Sequence, residues 1–330
     1  MIGIDEFQTY EIHGLGLRLA SNDRRVLRAL QRRLAQFPPT VPKATDWTME
    51  FICGVTDSRT RTVRPTGEAR SVYDAPEGEF VYYPDVDQVY MEYDGSVQFL
   101  LEARGKTSRL VSQTAHSDHL ELIVRSMFNG GLLEIAKRQG LYSVHAAGLA
   151  YKGKAVLLAG ICGAGKSTLT LALLRAGFGF LGDDLVFLSP HATGVRALAF
   201  PDEIDVTDNT ARLFPELNLL LNQPRVPGWH KRPLRPETVY DIDVVWDADP
   251  KVLIFPRVSE SPTSRLTRMD PVTTLIELAP NVLLTEANSS QAHLNALAKL
   301  VEQCACYQLE TGRDFDNVAA TLRELLASAP

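Results

Sequence analysis

The 330-residue chain has only four cysteines, Cys53, Cys162, Cys304 and Cys306. They are too few and too scattered for a disulfide framework, and they read as reduced thiols. Cys304-Ala305-Cys306 has no second Cys/His pair at zinc spacing, and its alternation suits a buried strand better than a metal site. Lys and Arg number 34 against 40 Asp and Glu, a formal charge of −6, which leaves no overall positive field for a nucleic-acid backbone. Runs of ~18 apolar residues are missing, so a membrane-spanning helix is not expected. The start, Met1-Ile2-Gly3-Ile4-Asp5-Glu6, lacks the basic and apolar regions of a secretion signal, and a cytoplasmic location is expected. Internal repeats and low-complexity tracts are lacking too, which sets aside solenoids and disordered tails.

What is present is the composition of a folded protein, 45% apolar and 22% charged. The length exceeds the ~100 to 200 residues usual for one domain, which predicts two. Residues 1–113 read as a β-rich α+β domain for substrate binding or regulation. A strand is predicted at Tyr10–Leu19 and an amphipathic helix at Asp23–Gln36, ended by Pro38, Pro39 and Pro42. Apolar segments at Met49–Val55, Glu79–Tyr83, Gln88–Tyr93 and Val97–Glu102 follow, the last two joined by the hairpin signal Asp94-Gly95. An antiparallel β-meander is the simplest arrangement of these.

From Ser117 the spacing turns helical through Leu120, Ile123, Val124 and Met127, breaks at Asn129-Gly130-Gly131 and resumes from Leu132 to Arg138. The second domain is therefore expected over residues 114–330, with mixed α/β architecture. Its predicted order is a strand at Ser143–Tyr151, a tight turn, and an apolar strand at Ala155–Ala159. A buried helix at Ser167–Ala176 closed by Gly177 and a strand at Phe178–Leu181 come next. Further on lie a strand at Val252–Phe255, helices at Pro271–Leu278, Ser290–Gln303 and Asp314–Ser328, and a strand at Ala305–Glu310.

Gly160-Ile161-Cys162-Gly163-Ala164-Gly165-Lys166-Ser167 matches G-x-x-x-x-G-K-[ST] between a predicted strand and a predicted helix. Gly160, Gly163 and Gly165 let successive N–H groups turn inward on phosphate oxygens at a helix N-terminus, and Cys162, Ala164 and Thr168 share that cradle. Lys166 has the reach to neutralise the β- and γ-phosphates of a nucleotide, and the Ser167 hydroxyl suits Mg²⁺. ATP and Mg²⁺ are the expected cofactors. Asp183 and Asp184 follow the next strand and would emerge at the same sheet edge, where one carboxylate suits the metal and the other the proton of an attacking hydroxyl. His145, in the strand before, reads by position alone as an ordinary core histidine.

Val144-His145-Ala146-Ala147-Gly148, Val156 to Ser167 and Gly177 to Leu185, in that order, resemble the catalytic core of the HPr kinase family over about 45 residues. The resemblance implies a P-loop fold shared with phosphoenolpyruvate carboxykinases, and transfer of phosphate from ATP to a serine hydroxyl of a peptide or small protein. It makes His145 an active-site residue, Asp184 the general base, Asp183 its neighbour, Lys166 the grip on the transferred group and Ser167 a magnesium ligand. The glycine-rich segment that surrounds the family's downstream glutamate is absent. Glu203 or Asp202, in Pro201-Asp202-Glu203-Ile204-Asp205, is its nearest counterpart for the metal, and Lys231, Arg232 or Arg235, in the Pro224–Pro236 stretch, for the mobile cation. That absence puts the family's phosphate-removing activity in doubt.

Residues 1–113 match no regulatory domain of that family, so the expected acceptor is not HPr. Relatives of this kind include tailoring kinases of ribosomally made peptides such as lasso-peptide precursors. The family's habit of assembly implies a homo-oligomer. A small-molecule alcohol kinase and a nucleotide-gated ATPase switch are the other readings that the motif allows.

Overall fold

A computed structural model describes residues 4, 6–39, 45–55, 62–75, 78–113, 122–223 and 231–329. The architecture is mixed α/β, with more than one sheet. The chain divides into two compact units, Met1–Gln139 with Leu283–Gln291, and Gly140–Val282 with Ala292–Pro330. The division falls at Gln139 rather than at residue 113, because the helix before it belongs to the first unit's core. Leu120 of the expected helical stretch, Pro42 and Pro224–His230 lie outside the described residues. Among the described residues no helix is long and apolar enough to cross a membrane.

In the first unit the elements are β1 (Glu6–Ile12), β2 (Leu15–Ser21), α1 (Arg24–Arg33), β3 (Trp47–Cys53), β4 (Arg70–Ala75), β5 (Gly78–Tyr83), β6 (Gln88–Tyr93), β7 (Val97–Glu102), β8 (Thr107–Ser112) and α2 (Phe128–Arg138). The strands form one eight-stranded sheet in the order β1-β2-β3-β8-β7-β6-β5-β4. The single strand expected from Tyr10 to Leu19 is instead a hairpin. His13 and Gly14 both take left-handed backbone, φ 51° and 86°, and fold β1 back on β2. Strands β4 to β8 form an antiparallel meander, of which the sequence pattern predicts β5, β6 and β7, but β3 runs parallel to both β2 and β8. The cause is α1, a crossover helix that returns the chain to the starting edge.

Both helices bury apolar faces. Asp23 caps α1 by accepting from Arg25 N–H, and Val26, Leu27, Ala29 and Leu30 are buried. Helix α2 sits so close to the sheet that its glycines have no room for a side chain. A Cβ at Gly131 would lie 2.6 Å from Phe99 Cζ and 2.8 Å from Met49 Cε. The asparagine–glycine run expected to break the helix therefore lies inside it, tertiary packing overriding propensity. Segment Leu283–Gln291 is fastened to α2 by buried polar groups. Lys137 Nζ donates to Leu283 O at 2.7 Å and Thr285 Oγ1 at 2.6 Å, and pairs with Glu134 at 3.2 Å.

The second unit contains β9 (Tyr142–Val144), β10 (Ala146–Tyr151), β11 (Lys154–Ala159), α3 (Lys166–Arg175), β12 (Gly179–Gly182), β13 (Val186–His191), β14 (Gly194–Ala199), β15 (Ile204–Val206), α4 (Asp208–Ala211), β16 (Arg232–Leu234), β17 (Asp247–Val258), β18 (Arg265–Arg268), α5 (Pro271–Leu278), α6 (Ala287–Gln303), β19 (Ala305–Thr311) and α7 (Phe315–Ser328). Helix α6 begins in the segment assigned to the first unit. The main sheet runs β12-β10-β11-β17-β14-β13-β9, with β19 and β18 branching from β17. Alternate residues of its central strands feed two cores. Val156, Leu158, Val252 and Ile254 pack with α3 and α7, while Leu157, Leu253 and Phe255 pack with α5 and α6. Burial on both faces is why these strands read as unbroken apolar runs.

Strand β9 ends one side of the sheet order and β10 lies next to the other end, yet only His145 separates them. The sheet must therefore curl until its two ends meet. Gly148 marks the meeting, since a Cβ there would lie 2.8 Å from Val186 Cγ2 and 3.0 Å from Leu181 Cβ. Ser143–Tyr151, read as one strand, is thus two strands with His145 at the corner.

Replacing a helical glycine by alanine ordinarily stabilises by up to ~1 kcal/mol. At Gly131 the overpacking against Phe99 and Met49 reverses the sign, and Gly131→Ala is expected to cost ~1–3 kcal/mol in urea unfolding. A stabilised variant would show that α2 does not pack on the sheet as described.

Candidate phosphate-binding site

Strand β11 delivers the chain into Gly160–Gly165, and α3 starts at Lys166. Gly163 and Gly165 sit at φ 84° and 98°, where other residues are strained, so the loop can double back to bring its N–H groups together. Ile161 and Cys162 are exposed, and Ala164 is half-buried. Helix α3 ends in a Schellman motif. Gly177 N–H donates to Leu174 O at 2.8 Å and Phe178 N–H to Leu173 O at 3.1 Å, with Gly177 left-handed at φ 84°. That cap turns the chain directly into β12.

Strand β12 pairs antiparallel with β10, which pairs antiparallel with β11. Strands β12 and β11 therefore point the same way although they are not neighbours. Asp183 and Asp184 leave the sheet at the edge where the glycine loop begins, as expected, but through an antiparallel intermediary instead of a purely parallel sheet.

The groups at this edge are hydrogen-bonded to one another. Lys166 Nζ donates to Gly160 O at 2.7 Å and Ile161 O at 3.3 Å, and lies 3.2 Å from His145 Nε2. His145 Nδ1 lies 3.0 Å from Asp184 O. A lysine ammonium can only donate, so Nε2 is the acceptor and Nδ1 carries the ring proton given to the Asp184 carbonyl. His145 N–H in turn donates to Asn281 Oδ1 at 2.6 Å. Loss of hydration in this crowded corner, then the Lys166 cation, lower the His145 pKa and keep the ring neutral. Loss of hydration likewise lowers Lys166, against the pull of Asp184 and Asp183.

Asp183 is buried, and its Oδ2 accepts from Ser167 Oγ at 2.8 Å. Its Oδ1 is buried without a hydrogen-bond partner among the described residues. The nearby Thr170 hydroxyl has one proton and gives it to Lys166 O at 3.0 Å. Burial first, then the Asp184 charge, push the Asp183 carboxyl up to about 7, against the hydrogen bond from Ser167. Asp184, by contrast, is exposed. Thr168 Oγ1 meets Thr210 Oγ1 at 2.9 Å.

Other expected residues go elsewhere. Glu203 pairs with Arg235 at 3.5 Å, and the next acid whose charge reaches Asp183 after Asp184 is buried Asp205. Arg232 is tied to Asp208 and donates to Gln223 O at 3.1 Å and Leu221 O at 3.3 Å. The Lys231 charge lowers both His145 and Lys166. Cys304 and Cys306 are buried with thiol pKa values raised by burial, and no group of three or more His, Cys, Asp or Glu suited to a metal occurs among the described residues. Asn281 was not foreseen. It lies 136 positions from His145, and no local pattern signals that pairing.

No family model matches the chain, and no curated protein matches it. Among solved structures it is similar to the HPr(Ser) kinase/phosphatase from Coxiella burnetii, at 14% identity and a TM-score of 0.28, over 56% of this chain and 93% of that one.

Asp183 has a pH signature. Its folded pKa of about 7 stands above the ordinary 3.8, so the folded chain keeps a proton that the unfolded chain has lost between those values. The resulting stability is complete below the lower value and is lost as the pH rises through the upper one. In divalent-free buffer the wild type is expected to lose ~2–4 kcal/mol across that window that Asp183→Asn retains. Parallel pH profiles in urea melts would show that the carboxyl titrates as a solvated one.

Proposed function

We propose that the chain is an ATP-dependent phosphotransferase that moves the γ-phosphoryl group to a hydroxyl acceptor. The observation that carries this reading is the convergence of Lys166, His145, Asp183, Asp184 and Ser167 on one glycine loop at a helix N-terminus. Loop N–H groups and the helix dipole suit the phosphate chain, and the Lys166 ammonium suits the charge on the transferred group.

Mg²⁺ fits the buried corner. The orphaned Asp183 Oδ1 is an acceptor awaiting a partner, and Ser167 Oγ stands beside it. One or two protein oxygens with phosphate and water are sufficient for this ion, so the missing third carboxylate is no obstacle. Asp183 and Ser167 would hold the ion, which when bound would neutralise charge on the phosphate oxygens.

Burial divides the labour of the two aspartates. Asp183, enclosed, has no route to an acceptor. Asp184, exposed, does, and its carboxylate takes the proton of the attacking hydroxyl as the new O–P bond forms and the bond to the bridging oxygen of ADP breaks. Neutral His145 accepts from Lys166 and so holds the ammonium in place without adding a competing charge. A serine of a peptide or small protein is the acceptor to test first, tailoring of a ribosomally made peptide being one setting for it.

Intact-mass analysis of candidate peptides after incubation with ATP and Mg²⁺ tests this. One added phosphoryl group is expected with wild type, and Lys166→Ala is expected to cut the rate by ~100-fold or more. Asp184→Asn is expected to keep nucleotide affinity while transfer falls ~100- to 10,000-fold. ATP consumed with no acceptor gaining mass would replace transfer by a hydrolytic switch.

A further inference from the structure

The first unit's sheet has two outer strands, and they are finished differently. Strand β4 pairs with β5 through a register shift between Ser71 and Tyr73, an irregularity of the kind that spoils an edge for further pairing. Strand β1 pairs with β2 in unbroken register from Glu6 to Ile12, has no proline, and is partnered on its outer side by no strand among the described residues. Seven residues of regular edge are an open template for another chain.

Beside that edge runs a groove of about 480 Å³ lined by Glu6, Phe7 and Gln8 of β1 and by Arg24, Leu27, Arg28 and Gln31 of α1. Spacing explains the helix side. Positions 24, 27, 28 and 31 are three and four apart and share one face. Leu27 is its buried floor, Arg24, Arg28 and Gln31 are exposed, and Phe7 is an apolar anchor at 56% exposure, with the Arg18 guanidinium 4.1 Å from its ring centroid. Helix α1 carries Arg24, Arg25, Arg28, Arg32 and Arg33 and no acid, in a chain of net charge −6. Arg24 is paired with Glu6, whereas Arg28 makes no ion pair or hydrogen bond among the described residues.

We infer that this groove binds an extended acidic peptide segment, which adds a strand to β1 and sets its carboxylates against the arginines of α1. Main-chain hydrogen bonds to an edge supply affinity without regard to sequence, and the flanking side chains choose among peptides. Alternate side chains of an added strand would face the helix, where Arg28 favours acid, and the others would lie on the opposite face of the sheet with Phe7, which favours apolar residues. The inference stands apart from phosphoryl transfer, since the groove is built wholly within the first unit.

The test uses the full chain without nucleotide and fluorescence anisotropy of a labelled peptide alternating glutamate and valine. Its lysine–valine counterpart and a copy N-methylated on alternate amides are the controls. Preferential binding of the acidic peptide is expected, weakened roughly fivefold or more by Arg28→Glu. Loss of binding with whichever N-methylated edge faces β1 is also expected, because a purely ionic surface would tolerate it. Lys166→Ala should bind as well as wild type, which separates failure of this proposal from failure of the transfer reaction. Equal binding of the lysine peptide, indifference to Arg28→Glu, or a dimer that dissociates in that variant would each overturn it. The last would show that a second copy covers the edge.

Discussion

A chain of hydrogen bonds from the Lys166 ammonium through the His145 imidazole to the Asp184 carbonyl joins three separate stretches of the polypeptide. A buried cation is costly unless donors and acceptors are matched, and here the match dictates the rest. The lysine must donate, so the histidine must be neutral with its proton on Nδ1, so the backbone at Asp184 must present its carbonyl. Strand β12 can satisfy that condition only because the cap at Gly177 sends it back along the sheet at once.

The same corner depends on the curl of the sheet. His145 is the single residue between β9 and β10, and it sits where the two ends of the strand order come together. Side chains at Gly148 or Gly182 would push the layers apart, the latter against Leu185 O at 2.6 Å and Phe200 O at 2.7 Å. Small residues beside the site thus serve packing, whereas those in the glycine loop serve conformation. The two adjacent aspartates, equivalent as letters, come to lie in different environments because strand geometry turns one inward against Ser167 and leaves the other exposed.

Much of this was legible. Strands β6 and β7, helix α5 and the glycine loop have the bounds that their patterns predict, because each is signalled by local chemistry: alternation, Asp94-Gly95, a proline at a helix start. Strands β13, β14 and β18 carried no such recognised signal, and β8 and β4 were also missed. The His13-Gly14 turn was hidden inside an apolar run, where a histidine in left-handed backbone is not an obvious hairpin residue. Arg232 looked like a mobile cation, but its fork is occupied by Asp208 and two carbonyls of the described chain.

By itself the sequence determined that a glycine-rich loop follows a buried strand and opens a helix, and that two aspartates come one helix and one strand later. Those facts are local: glycine freedom, apolar runs and helix caps act over a few residues. Tertiary structure alone decided which strands are parallel, that α2 and Leu283–Gln291 belong to the first unit, and that Asn281 holds His145. It also decided which aspartate is buried. Such outcomes depend on contacts between residues tens to more than a hundred positions apart, and nothing in the neighbourhood of either partner encodes the distance between them.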